Sequence, residues 1–158
     1  MSRVLRRPIA IVAALILFAE ACGIVLVNWV LGLVAHNQNM SLAGIDPHAI
    51  SVGAWVAGGL FGLFLAVCGV LLLIVGIRDR APGRVARITL IACAVVHAVL
   101  GAFTVGLVGW GAFAYLMVVL ALLVLVLLAY ARERPVAKAG PAPEDGAPPA
   151  PNGAPAAA

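Results

Sequence analysis

The sequence predicts an all-α membrane protein, a bundle of four transmembrane helices followed by a disordered C-terminal tail. Composition is the first reason. Of 158 residues, 65% are hydrophobic and 10% charged, with a mean hydropathy of +1.16. A soluble domain of this size carries about 25% charged residues and has too little interior to hide so much apolar surface. The second reason is span length: four runs meet the roughly 20 apolar residues a bilayer crossing needs. The third is charge, because all ten Lys and Arg side chains fall on one side of the resulting topology.

Residues 1–8 form a short basic N-terminus with Arg3, Arg6 and Arg7. The first span covers 9–34. Within it, Ala19-Glu20-Ala21 before Cys22 imitates a signal-peptidase site or lipoprotein box. The apolar run continues for twelve residues past Cys22, so an uncleaved span is expected. An outer loop follows at 35–49, with His36, Asn37, Gln38, Asn39, Asp46 and His48. Asp46-Pro47 reads as an N-cap with proline at the first helical position. His36, Asp46 and His48 lack the i, i+4 spacing of a helical metal site, so a hydrated loop with a helix cap is expected and no metal. Asn39-Met40-Ser41 matches the glycosylation tripeptide, but nothing else in the sequence indicates a glycosylating secretory pathway.

The second span covers 50–77 and contains a packing code. Ala54, Gly58, Gly62 and Ala66 recur every four residues, and Gly62, Gly69 and Gly76 every seven. Small residues at this spacing let helix backbones approach closely. Packing inside the bundle is the expected use, with a homo-oligomer or a membrane-protein partner as the alternative. The basic loop at 78–87 turns at Pro82-Gly83, and its four arginines suit anionic headgroups. The bilayer, and no nucleic acid, is therefore the expected partner of the positive charge. The third span covers 88–108, a tight outer turn 109–112, and the fourth span 113–130. Without the glycine-flanked break the last two would form about 60 Å of helix at 1.5 Å per residue, twice the hydrocarbon thickness. The fourth span has no polar residue between Tyr115 and Tyr130 and is expected to face lipid. The tail, 131–158, has seven prolines and no aromatic residue and cannot build a core.

Arginine and lysine place both termini in the cytoplasm of a cell bounded by the plasma membrane. Trp29, Trp55 and Trp110 all fall near the opposite boundary, where amphipathic rings anchor. The three cysteines lie in apolar runs and read as small buried hydrophobes.

Two embedded polar residues remain, Glu20 and His97. Glu20 lies about 16 Å into the first span, and His97 about 14 Å into the third. The two spans run in the same direction, so these residues are nearly level. The first span tolerates its charge, because a central carboxylate costs about 3 kcal/mol and fifteen Ile, Val, Leu and Phe residues return about 0.3–0.6 each. Burial favours an uncharged, hydrogen-bonded acid. A Glu20–His97 contact is geometrically permitted, and a structural interhelical bond, averaging about 0.6 kcal/mol, is its expected use. Proton or cation binding by the pair is the alternative. Asn28 lies off the Glu20 stripe and is at most a flanking group. No cofactor is implied: His97 alone qualifies as an axial haem ligand. No nucleophile–base pair or phosphate loop suggests an enzyme.

Two resemblances follow from these residues. Arg6-Arg7-Pro8 before a glutamate-bearing span, nine arginines to one lysine, and an Ala-Pro tail resemble the small four-span integral membrane proteins of bacteria with GC-rich genomes, a likeness that implies no activity. Locally, Ala19-Glu20-Ala21-Cys22-Gly23-Ile24-Val25-Leu26 is similar to the A-E-x-x-G-x-x-L stretch of small multidrug resistance transporters. That likeness implies a glutamate exchanging protons for cationic drugs, a role that would fall to Glu20. The chain departs from that family in lacking its third-span Gly-x-Ala-Tyr-Ala-x-Trp segment, in a longer outer loop, and in a strong one-sided arginine bias. The expected function is structural or accessory within the plasma membrane, with a proton-coupled transporter of small cations or drugs as the alternative.

Overall fold

The computed structural model describes residues 3–38 and 44–131. The tail beyond residue 131, its Arg132, Arg134 and Lys138, and the Asn39 tripeptide lie outside the described residues. Within them the chain is all-α, with helices α1 (Arg3–Gln38), α2 (Pro47–Arg78), α3 (Arg84–Leu107) and α4 (Trp110–Ala131). All four are long and apolar enough to cross a membrane.

Local chemistry accounts for the helix ends. Asp46 caps α2 by accepting from the His48 N–H at 3.0 Å, and Pro47 opens the helix, where a missing N–H costs nothing. The α3–α4 connection is tighter than the expected 109–112 turn. It is made by Val108 and Gly109, with α4 already begun at Trp110. Gly109 adopts φ +116°, which only glycine reaches without a steric penalty, and this one residue lets the chain reverse at once.

The helices form two antiparallel hairpins, α1–α2 and α3–α4, each closely packed within itself. The hairpins meet through narrower α1–α4 and α2–α3 seams. Among the described residues, no Cα of α1 comes within 8 Å of one of α3. Inside the first hairpin, the α2 glycines receive α1 side chains: Gly58 meets Asn28, Gly62 meets Val25 and the Ala21 carbonyl, Gly69 meets the Phe18 ring, and Gly76 meets Ile11 and Ala10. Ala54 and Ala66, of the same sequence pattern, are half-buried. Dispersion between closely approaching backbones holds such interfaces where lipid removes the hydrophobic drive.

The common core occupies only one half of the bundle. It comprises Ala10, Ala13, Ala14, Leu17 and Ala21 of α1, Leu65, Cys68, Leu72 and Val75 of α2, Leu90, Cys93 and Ala94 of α3, and Val119, Leu123, Val126 and Tyr130 of α4. All of these lie toward the arginine-bearing end. The α4 set corrects the expectation of a wholly lipid-facing helix, because a stripe at i, i+4, i+7 and i+11 faces the core. One cysteine also departs from expectation: Cys68 and Cys93 are buried, while Cys22 lies on the outer surface. Toward the other end, where Trp29 stacks on Trp55 at 5.7 Å, the hairpins part.

Candidate functional site

Glu20 and His97 meet where the core ends and the hairpins begin to diverge. His97 Nε2 lies 2.9 Å from Glu20 Oε2, and the two side chains are 2% and 9% exposed. The contact joins α1 to α3, the diagonal pair whose backbones stay apart. On the far side of the ring, Nδ1 lies 2.8 Å from the Cys93 carbonyl one turn earlier. A carbonyl only accepts, so Nδ1 bears a hydrogen. The remaining contact then holds one proton, on the carboxyl donating to a neutral imidazole or on an imidazolium donating to a carboxylate. Either arrangement is net neutral, which suits a site in hydrocarbon.

The other carboxyl oxygen is not provided for. Glu20 Oε1 is buried and has no hydrogen-bond partner among the described residues. It belongs to the wall of a cavity of about 370 Å³ that Gly23, Phe61, His97, Tyr115 and Leu116 also line. Tyr115 brings its phenol to this cavity wall from α4. Asn28 stands further toward the tryptophan end and satisfies its own amide on the Ile24 carbonyl at 2.9 Å. It packs on Gly58 and has no part in the pair.

A second polar cluster, not anticipated from sequence, closes the arginine-bearing end. Arg6 Nε donates to Asp79 Oδ1 at 2.7 Å, and the Arg6 guanidinium lies over the Tyr130 ring, 4.9 Å from its centroid. The Tyr130 hydroxyl points at the same carboxylate oxygen at 3.3 Å. Arg7 donates to the carbonyls of Gly76 and Ile77 at 3.3 and 3.1 Å, capping the negative end of α2. Asp79 itself ends α2 in the left-handed region, at φ 50°, a conformation aspartate tolerates better than most residues. Arg6 and Arg7, expected as charges that orient the first span, are thus engaged by protein. The sequence held a signal for this: Asp79 is the one carboxylate in the arginine-rich 78–87 loop.

The hydrogen bond from Arg6 holds the Asp79 carboxyl below its ordinary value of 3.8, aided by the charges of Arg6 and Arg7 and the Tyr130 hydroxyl. A lowered folded-state value means stability that is present above the unfolded value and lost as pH falls through the folded one. Below about pH 4 the thermal midpoint of the wild type in detergent should therefore drop. Asp79→Asn should remove that part of the drop while lowering the midpoint at pH 7. Parallel curves for the two proteins from pH 7 to pH 3 would contradict the assignment.

Comparisons with protein-family models, with curated proteins and with solved structures found no match.

Proposed function

We propose that the protein is a multi-pass plasma-membrane protein with both termini in the cytoplasm and a structural or accessory, non-enzymatic role. The arginine distribution and the shared tryptophan end support that placement. The observation that carries the structural role is the commitment of His97. Both ring nitrogens are used by protein partners, and one of those bonds is the polar strut across the α1–α3 diagonal. In a membrane such bonds fix helix arrangement more than they add stability. The arginine-end cluster ties α1, α2 and α4 in the same way. The bundle is thus a defined platform whose outer helix faces are available to lipid or a membrane partner.

A specific observation favours a second role, proton-coupled export of a small cation: the unpartnered Oε1 of Glu20 beside a cavity. The two roles separate in proteoliposomes loaded with a pH-sensitive dye and challenged with a panel of lipophilic cations. The structural role predicts no cation-driven proton flux in the wild type above empty vesicles. Flux that disappears in Glu20→Gln would establish the transporter instead.

A further inference from the structure

Beyond the strut, the region around Glu20 has the features of a ligand site. The cavity of about 370 Å³ against Glu20 shares Ile24, Phe61 and Leu100 with a second cavity of about 580 Å³ that runs between α1, α2 and α3 past Asn28. Each is of the size that holds a small lipophilic molecule, about 300–1,000 Å³. Leu60 and Leu100 on the rim are exposed, so the space opens sideways between α2 and α3, where the hairpins part. Its walls are almost wholly apolar. Beside Glu20 two polar groups line it, the buried Oε1, without a hydrogen-bond partner among the described residues, and the phenol of the half-exposed Tyr115.

Charge and hydrogen-bond chemistry narrow the occupant. The Glu20–His97 pair with its single proton is neutral, so the site has no net charge to offer a cation. A cation could bind only by displacing that proton, leaving the Nε2 lone pair facing a carboxylate. An anion would meet Oε1 head on. A hydrocarbon would leave Oε1 as it stands. A hydroxyl matches both groups, because it donates to Oε1 and accepts from the Tyr115 phenol. Water would satisfy the two polar groups but leave the apolar groove unfilled.

We propose that this cleft binds an uncharged, single-chain alcohol drawn from the bilayer, its hydroxyl between Glu20 Oε1 and Tyr115 and its chain along Ile24, Phe61 and Leu60. Entry is lateral, through the α2–α3 opening. The proposal is independent of whether the pair stabilises the bundle, since it concerns the other carboxyl oxygen.

Gly23 supplies the test. It lines the cavity, and a Cβ built on it meets nothing within 4 Å. Gly23→Leu therefore adds a side chain to the cavity wall without a clash at its Cβ, and it replaces a poor helix former by a good one. The full-length protein in lipid nanodiscs is photolabelled with a diazirine derivative of 1-dodecanol, and labelled residues are mapped by mass spectrometry. Labelling should fall on the walls of the cleft. Excess 1-dodecanol should compete it at least ten-fold better than dodecane or dodecyltrimethylammonium. Gly23→Leu, shown to be folded by circular dichroism, should lose at least ten-fold in labelling, and Glu20→Leu should do the same. Equal labelling of Gly23→Leu and wild type would overturn the site. Equal competition by dodecane would overturn the role of the hydroxyl. Preferential competition by the ammonium compound would overturn the neutral-ligand assignment.

Discussion

Replacing His97 with leucine should lower the stability of the protein by about 2–3 kcal/mol, measured by reversible unfolding in mixed micelles. The substitution leaves both Glu20 oxygens buried without a protein hydrogen-bond partner, since Oε1 has none already. An orphaned buried polar group costs about 1–3 kcal/mol, and breaking one side of a buried pair is among the larger single-residue effects. The sharper expectation concerns the double replacement. Glu20→Leu with His97→Leu removes both polar groups from an apolar site and should recover much of the loss, because swapping a buried pair for apolar residues is often neutral. A double variant less stable than His97→Leu alone would mean that the two residues act through other neighbours.

The second large effect is at Gly62. A Cβ there would collide with Val25 and sit 3.3 Å from the Ala21 carbonyl, so Gly62→Leu must push α1 away from α2. Overpacking of this kind costs about 1–3 kcal/mol. Gly59 is the control, because it lies on the same helix with open space where its Cβ would be. Gly59→Leu should be neutral, or stabilising by up to about 1 kcal/mol through helix propensity. Similar losses at the two positions would show that the glycines are needed for helix flexibility and not for close approach.

These contrasts also show what was legible in the sequence. Length and hydropathy were enough for four apolar helices, and Asp46-Pro47 marked the start of α2 because capping is a local interaction. Glu20 and His97 could be aligned because both distances are counted along helices that start at the same membrane boundary. The stripe from Gly58 to Gly76 announced close packing, though not the α1 side chains that fill it. The buried face of α4 was hidden for a physical reason: a helix that is Leu and Val all round has no periodicity to point inward. The Arg6–Asp79–Tyr130 cluster was hidden because an arginine at a membrane boundary has the same sequence pattern whether it meets a lipid phosphate or a protein carboxylate. The parting of the hairpins depends on three-dimensional packing alone, and it is what turns an embedded glutamate into the wall of a cleft.

Two polar struts therefore organise the same bundle differently. The arginine-end cluster reinforces a region where all four helices already share a core. The Glu20–His97 contact acts at the edge of that core, between helices whose described Cα atoms stay more than 8 Å apart. Through this contact α1 and α3 are coupled directly. A double-mutant cycle on Glu20→Ala and His97→Ala, read as unfolding free energy, tests that coupling most directly. Direct coupling predicts non-additivity of at least about 1 kcal/mol, above the usual average for interhelical bonds in membranes. Losses that add to within about 0.3 kcal/mol would contradict it.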